Sequence, residues 1–418
     1  MNQIRDSLIV GIDVSLSNNV ATFMRDDGQE FARYFKFPND LPGAIEFVKR
    51  LNSLIVTHNF THLKIGIEST SLYWWHLVEF LNSDNTGLLL KPEVYLLNPN
   101  RVDAFRKGFP NLPKTDSIDS WLIAEIVRIG RLSPNRPPDM EYAPLQRLTR
   151  FRCQLVESLI TEKNRALSLI FLKFSSYSDK SQNPFSDIFG KTSLNLIENF
   201  TPEEIANTRV EDLIKFISYS SKNHFSEEET IKYVEELNKL TRRAYKLNPK
   251  LLDTVSVTLT MTLENVRYFE SQIKKINKVI EREFSAFPQK QMLSLVRGLG
   301  PVLSAGIVAE IGDINRFRSE RNLASYAGLV WRKHQSGEYE GDDTPLTRSG
   351  NEYLRYYLVE GANCLRMHNA EYSKYYNRKY QEARTHHHKR ALVLTARKLV
   401  RLVFALLSKN QNLLGRSR

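Results

Sequence analysis

Four acidic residues stand at the ends of predicted strands and helices in the N-terminal third of the chain. Asp13 follows one apolar run and Glu68 follows another, whereas Asp116 and Asp119 begin a helical stretch. Their spacing of three places the two aspartates on one face of that helix. Carboxylate oxygens suit Mg²⁺ or Mn²⁺, and a pair of such cations activates an attacking oxygen and stabilises a leaving one. Taken singly, each acid is also typical of a turn or a helix cap.

A serine in the C-terminal third is a candidate nucleophile. Ser336 stands in Gln335-Ser336-Gly337, and the glycine permits an irregular backbone that presents the hydroxyl. A hydroxyl is a weak nucleophile and needs activation, which a metal-bound carboxylate cluster supplies. The same tripeptide is also typical of an ordinary loop.

The elements that must position the acids form an N-terminal domain over residues 1–140. We predict strands and helices in this order: strands Leu8–Ile12, Val20–Met24 and Phe31–Phe37, helix Leu41–Leu54, strand Leu63–Ile67, helix Leu72–Leu81, strand Val94–Leu97, and helices after Asn100. Three antiparallel strands followed by alternating helices and strands is the order of the α/β ribonuclease H-like (RuvC-like) fold. In that fold the first and fourth strands are neighbours, which brings Asp13 beside Glu68. Pro134, Pro137 and Pro138 mark the closing linker.

The segment 142–290 is predicted to be helical, with coiled-coil character. One apolar stripe is Leu145, Leu148, Leu155 and Leu159; a second is Leu259, Leu263, Val266, Ile273 and Ile280. These stripes indicate either helix packing within the chain or oligomerisation. Residues 174–228 are rich in Ser, Asn, Lys and Phe, and we interpret them as an irregular insertion.

The third segment, residues 291–412, is predicted to be a mainly α C-terminal domain. It opens with Gly298-Leu299-Gly300-Pro301, continues as an apolar helix through Ile311, and has a further helix near Leu323. A helix, a Gly-x-Gly turn and a helix resemble a helix-hairpin-helix, in which backbone amides approach a phosphate.

The composition favours a polyanionic partner. Lys and Arg number 59 against 47 Asp and Glu, which gives a net charge of +12. Cys153 and Cys364 have no Cys or His at metal-ligand spacing, so we expect neither structural zinc nor a disulfide framework. His386-His387-His388 is typical of a solvated loop or helix end. No run of 18 apolar residues occurs, so we expect a cytoplasmic protein without a membrane segment.

Eight short motifs, in this order, resemble one known family. They are Gly11-Ile12-Asp13-Val14-Ser15, Gly66-Ile67-Glu68-Ser69-Thr70 with Tyr73-Trp74, Lys114-Thr115-Asp116-Ser117-Ile118-Asp119, Gly298-Leu299-Gly300-Pro301, Ile311-Gly312-Asp313, Ala324-Ser325-Tyr326-Ala327-Gly328-Leu329, Gln335-Ser336-Gly337, and Leu346-Thr347-Arg348-Ser349-Gly350-Asn351. Ala396-Arg397-Lys398-Leu399-Val400 closes the domain. The family is that of insertion-sequence transposases with a RuvC-like DEDD domain, the bridge-RNA-guided recombinases, which are related to the Piv invertases.

The resemblance implies roles for particular residues and for partners. It implies that Asp13, Glu68, Asp116 and Asp119 are DEDD ligands of Mg²⁺ (or Mn²⁺), and that Ser336 attacks a DNA phosphate to form a transient phosphoserine link. It further implies double-stranded donor and target DNA, a guide (bridge) RNA that pairs with both, and a homo-oligomer, dimer or tetramer, with composite active sites. The chain departs from the family at Glu338, Glu340, Asp342 and Asp343, where basic residues are more usual.

Basic and aromatic side chains are candidates for nucleic-acid contacts. The basic candidates are Arg332, Lys333, Arg348, Lys389, Arg390, Arg397, Lys398 and Arg401, although each is also typical of a solvated face. Tyr73, Trp74 and Trp75 can stack on bases, but their apolar neighbours favour core packing.

Three other functions are compatible with the sequence. A RuvC-like Holliday-junction resolvase would cut by metal-assisted hydrolysis without Ser336. A sugar-kinase-like ATPase would use Gly11-Ile12-Asp13 as a phosphate loop, but residues 142–290 lack the second glycine-rich lobe. A DNA-binding descendant of a transposase would not need all four acids and the serine.

Overall fold

The computed structural model describes residues 6–69, 71–109, 112–130, 141–178, 183–293, 295–331, 335–336, 339–340, 346 and 350–414. The chain divides into two compact units, residues 1–141 and residues 142–418. Within the described ranges, no helix is long and apolar enough to cross a membrane. The proline-rich linker lies outside the described residues.

The N-terminal unit is built on a five-stranded mixed sheet. Its strands are β1 (Ser7–Val14), β2 (Asn18–Arg25), β3 (Glu30–Pro38), β4 (His62–Glu68) and β5 (Pro92–Leu97). The spatial order is β3-β2-β1-β4-β5. β1 and β2 are antiparallel, whereas β1, β4 and β5 run parallel. The predicted adjacency of the first and fourth strands is thus confirmed.

Four helices cover the two faces of this sheet. They are α1 (Leu41–His58), α2 (Trp75–Asn82), α3 (Pro99–Arg106) and α4 (Asp116–Ile129). Because side chains alternate along β1, its even-numbered residues Leu8 and Val10 share a core with Phe47 of α1. Ile9 faces the other way and packs with Ala124 and Val127 of α4. The predicted α/β character of this region is confirmed.

The C-terminal unit is mostly helical, as predicted. Its helices are α5 (Ala143–Lys173), α6 (Lys191–Asn199), α7 (Pro202–Asn207), α8 (Val210–Ser221), α9 (Glu227–Thr241), α10 (Pro249–Phe284), α11 (Gln289–Leu293), α12 (Pro301–Ile311), α13 (Glu320–Tyr326), α14 (Glu352–His368), α15 (Ala370–Glu382) and α16 (His387–Leu414). Two short strands, β6 (Gln335–Ser336) and β7 (Tyr339–Glu340), form a hairpin.

The two long helices α5 and α10 pack against each other. Leu145 near the start of α5 shares a core with Ile280 near the end of α10. Ile170 near the end of α5 clusters with Leu259 near the start of α10. The pair is therefore antiparallel, and the predicted apolar stripes pack within one chain.

The interpretation of residues 174–228 as an irregular insertion is wrong. The described part of this segment, together with residues 229–241, folds into α6–α9. Its residues Tyr177, Leu196, Ile217 and Leu237 belong to one core with Ile170 of α5 and Leu259 of α10. Because these helices are short and rich in Ser, Asn and Lys, their apolar residues do not show a clear helical spacing in the sequence. Two capping boxes, Thr201 with Glu204 and Ser226 with Glu229, are the sequence signals that would have revealed helices here.

Candidate active site

Helix α4 lies directly on the backbone of the two central parallel strands. Gly11 of β1 and Gly66 of β4 are partners in the strand register. A Cβ at Gly11 would lie 2.1 Å from the carbonyl oxygen of Ser120 and 2.3 Å from the amide nitrogen of Ala124. A Cβ at Gly66 would lie 2.6 Å from Cγ2 of Val127. The two glycines therefore form the surface on which α4 is seated.

The same glycines determine which way two of the predicted acids face. Asp13 follows Gly11 by two residues, and Glu68 follows Gly66 by two residues, so both acids lie on the α4 side of the sheet. Gly11 lies under Ser120, the neighbour of Asp119. Thr115 caps the helix by accepting from the amide of Ile118. The first turn of α4, with both aspartates, therefore reaches the carboxyl ends of β1 and β4.

Three of the predicted acids lie close enough to Asp13 to affect its pKa. The pKa of Asp13 is raised from 3.8 to about 6. Burial is the largest cause, followed by repulsion from the negative charges of Asp119, Glu68 and Asp116 in that order. The sequence predicted these four residues together, and the structure brings Glu68, Asp116 and Asp119 within electrostatic reach of Asp13.

An arginine that the sequence analysis missed lies at this site. Nη2 of Arg106, the last residue of α3, donates to Oδ1 of Asp119. Its side chain is 18% exposed and that of Asp119 14%. α3 packs on α4 through Val102, which shares a small core with Leu122 and Ile123. The apolar spacing within α3, followed by a basic residue at the end of the helix, is the sequence feature that could have pointed to Arg106.

The acids have the chemistry of a site for a divalent cation. Their carboxylate oxygens suit Mg²⁺ or Mn²⁺, and the negative charge that raises the pKa of Asp13 is what a cation neutralises. Across the described ranges, however, no three His, Cys, Asp or Glu side chains are arranged to hold a metal ion. Arg106 supplies a positive charge to Asp119 instead. The donor set therefore fits a cation in type, while one of its members is engaged by an arginine.

Ser336 lies at the end of a short β-hairpin. Its backbone pairs with Tyr339, and Gln335 pairs with Glu340. Trp331 and Leu346 form an isolated antiparallel bridge further from the turn. The backbone at Ser336 is thus part of a strand and not of the plain loop that Gln-Ser-Gly also suggests. Gly337, Glu338, Asp342 and Asp343 lie outside the described residues, as do Arg332, Lys333 and Arg348.

A buried ion pair secures the helix that follows this hairpin. The side chain of Glu310 in α12 is 0% exposed and accepts from Arg150 of α5 at 2.7 and 2.8 Å. Nδ2 of Asn351 donates to the same carboxylate at 2.7 Å. Oδ1 of Asn351 accepts from the amide of Leu354 at 2.9 Å and so caps α14. Glu310 therefore joins α5, α12 and the start of α14.

Some predicted nucleic-acid contacts are engaged within the chain. Arg397 and Arg401 pair with Glu320 at 3.7 and 3.3 Å. Lys398 pairs with Glu371 at 2.5 Å. Lys389 and Arg390 are exposed.

The predicted aromatic stacking residues divide between core and surface. Trp74 is 7% exposed and belongs to the core, and Tyr73 is 39% exposed. Trp75 is partly buried and packs against the same core.

Two family models match this chain. A transposase model of the DEDD, IS110 type matches residues 10–174, and the model of the IS116/IS110/IS902 transposase family matches residues 290–377. Each match covers less than half of the chain, and together they show that both regions are similar to IS110/IS116-family transposases, which supports a DNA-recombining enzyme.

Individual relatives agree with the family models. The chain is 28% identical over 137 residues to a probable family 20 transposase of Pseudomonas aeruginosa, which covers 30% of this chain and 40% of the relative. It is 25% identical to the 44.8 kDa protein of insertion element IS116 of Streptomyces clavuligerus over 74% of each chain. It is 27% identical to the pilin gene-inverting protein of Moraxella bovis over 36% of this chain and 48% of that protein.

Proposed function

We propose that this protein is a transposase that cuts and rejoins double-stranded donor and target DNA by phosphoryl transfer. The observation that carries the proposal is that Asp13 and Glu68, at the ends of two adjacent strands, lie near Asp116 and Asp119 in the first turn of α4, a helix that packs on Gly11 and Gly66. The strand order β3-β2-β1-β4-β5 supports a ribonuclease H-like fold for this unit. Relatives named as transposases and as a gene-inverting protein support DNA as the substrate.

The four acids would hold Mg²⁺ or Mn²⁺ in the working enzyme. When bound, the cation polarises the phosphate and stabilises charge on the reacting oxygens. The contribution of the chain is to place the acids. Asp13 and Glu68 come from adjacent strands, and Asp116 and Asp119 come from one helical turn.

Ser336 is proposed as the nucleophile. Its hydroxyl oxygen forms an ester bond to the phosphorus of a DNA phosphodiester, and the bond from that phosphorus to one DNA oxygen breaks. The serine hydroxyl loses one proton and the departing DNA oxygen gains one, so the number of protons balances and a DNA hydroxyl is left. A hydroxyl of a second strand later displaces the serine, so strands are exchanged without an external energy source. The family resemblance supports this role, and the structure gives only the backbone of Ser336, which pairs with Tyr339.

Two partners belong to the same proposal. A net charge of +12 supports nucleic acid as the partner, and the family resemblance extends this to a guide RNA that pairs with donor and target. We further propose a homo-oligomer, dimer or tetramer, in which serine and acids come from different protomers. RNA that copurifies with the protein, once sequenced, tests the guide.

The decisive experiment looks for DNA that stays attached to the protein after denaturation. Wild-type protein should form such an adduct in Mg²⁺, and Ser336→Ala should form none. Ser325→Ala removes an exposed serine in the same unit and should behave as wild type. Mixing Ser336→Ala with Asp13→Ala protein should restore activity if the two groups act from different protomers.

A hydrolytic resolvase is the second candidate, because the carboxylate cluster is formed within the N-terminal unit alone. Cleavage by Ser336→Ala, without any adduct from wild type, would establish that alternative and refute the serine mechanism.

A further inference from the structure

Arg106 is held firmly beside the acids of the candidate site. It ends α3, which is anchored on α4 by Val102, a residue 2% exposed. Its Nη2 donates to Oδ1 of Asp119. With side chains 18% and 14% exposed, the arginine and the aspartate are largely shielded from water. The fold therefore presents a fixed positive charge to one of the four acids.

The same guanidinium has a second donor, Nη1, that the described residues leave without an acceptor. Nη1 of Arg106 is buried and has no hydrogen-bond partner among the described residues. A buried N–H without an acceptor is costly, and such groups usually gain a partner from a ligand or a water molecule. The planar fork of arginine binds two oxygens at once, and both carboxylate and phosphate oxygens suit it. One half of the fork is therefore available to an anionic oxygen.

We propose that Arg106 binds a phosphate of the DNA substrate, and that until DNA arrives its pairing with Asp119 competes with the divalent cation. This inference rests on the proposed function, since it takes the four acids as cation ligands and DNA as the substrate. In the free protein, a cation has to compete with a shielded positive charge for the carboxylate of Asp119.

DNA changes this competition. A phosphate oxygen that accepts a hydrogen bond from Nη1 also interacts with the positive charge of the guanidinium. This interaction weakens the ion pair between Arg106 and Asp119. The carboxylate then becomes more available to the cation. DNA and cation therefore bind with positive coupling, and the coupling is reciprocal by thermodynamic necessity. Arg106 therefore makes the binding of the cation depend on the presence of DNA.

The test measures Mn²⁺ binding to the full-length protein by electron paramagnetic resonance, with and without short duplex DNA at low ionic strength. DNA should tighten Mn²⁺ binding to wild type at least about fivefold, the lower end of usual coupling between sites. Arg106→Gln should bind Mn²⁺ about tenfold more tightly without DNA, because it removes the positive charge that competes for Asp119. A tenfold change in affinity corresponds to about 1.4 kcal/mol. The further effect of DNA should then fall below about twofold.

Two further variants make the test specific. Arg106→Lys keeps the charge on Asp119 but lacks the second half of the fork, so it should match wild type without DNA and lose most of the coupling. Lys107→Gln removes the same charge one residue further on. Lys107 is 76% exposed and pairs with Asp103 at 3.1 Å, so this control should behave as wild type throughout.

Each outcome decides a separate point. If neither wild type nor Arg106→Gln binds Mn²⁺, the metal site of the proposed function is wrong, and this inference is wrong with it. If Mn²⁺ binds but Arg106→Gln leaves its affinity unchanged, or Arg106→Lys couples as strongly as wild type, the inference alone is overturned. Should Arg106→Gln unfold at a much lower temperature than wild type, Arg106→Lys alone decides.

Discussion

Replacing Asp13 by asparagine is expected to stabilise the N-terminal unit at neutral pH when divalent cations are absent. The carboxyl group of Asp13 is largely buried beside three other acids, and its pKa is raised from 3.8 to about 6. An acid with a raised pKa adds stability fully below its unfolded value and loses that contribution as pH rises through its folded value. Ionised Asp13 therefore destabilises the fold above about pH 6.

The size of the effect follows from the rise in pKa. At about 1.36 kcal/mol per pKa unit, a rise from 3.8 to about 6 corresponds to at most about 3 kcal/mol. Local relaxation and water reduce this figure, so we expect Asp13→Asn to gain about 1–2 kcal/mol at pH 8. The difference from wild type should vanish near pH 4, where Asp13 is protonated in the folded protein.

Urea unfolding followed by tryptophan fluorescence, in the presence of a chelator, measures this difference. Trp74, Trp75 and Trp121 lie in the N-terminal unit, so the signal reports chiefly on that unit. Asp103→Asn changes an exposed acid paired with Lys107 and serves as the control. Mn²⁺ should stabilise wild type more than Asp13→Asn. An Asp13→Asn protein no more stable than wild type at pH 8 would refute the argument that the four acids repel one another.

Three further predictions concern packing and charge. Gly11→Ala should lower the free energy of unfolding by about 2–4 kcal/mol and reduce DNA cleavage, because its Cβ meets the backbone of α4 at 2.1 Å. Gly66→Ala should lower the free energy of unfolding by less, because its Cβ meets the side chain of Val127. Chemical denaturation of both variants checks the order, and equal losses would contradict it. Arg150→Met should destabilise the C-terminal unit by about 3 kcal/mol, because it leaves Glu310 buried without its cation. A loss below about 1 kcal/mol on calorimetry would show that the side-chain amides of Asn351 and Gln146, which both donate to Glu310, suffice. Binding to duplex DNA should weaken steeply as salt rises, and a flat titration would mean that the +12 charge is not used on phosphates.

The positions of the four acids were predictable because they depend on topology. Parallel neighbours end at the same edge of a sheet, so Asp13 and Glu68 had to meet once the strand order was inferred. The spacing of Asp116 and Asp119 fixed their shared helix face. These inferences combine periodicity and chain order with the strand order of the ribonuclease H-like fold, which the element order resembles.

The contact of Arg106 with Asp119 and the packing of α4 on Gly11 and Gly66 could not be predicted in the same way. The approach of Arg106 depends on the angle at which α3 packs on α4, which is set by Val102 and its apolar neighbours. The importance of Gly11 and Gly66 depends on how closely a helix approaches the sheet. A glycine in a strand is equally typical of a bulge or a bend, so its type alone does not reveal a helix above it. Contacts between distant segments carry this information.

The carboxylate cluster also explains why this unit needs such close packing. Burial of Asp13, followed by repulsion from three nearby acids, raises the pKa of Asp13, so its ionised form raises the free energy of the folded state. A helix free to move away would relieve that repulsion by withdrawing Asp116 and Asp119. α4 cannot easily do so, because its backbone rests on Gly11 and its apolar side chains Ile123 and Val127 are buried against the sheet. The packing energy of α4 therefore holds Asp116 and Asp119 in place near Asp13.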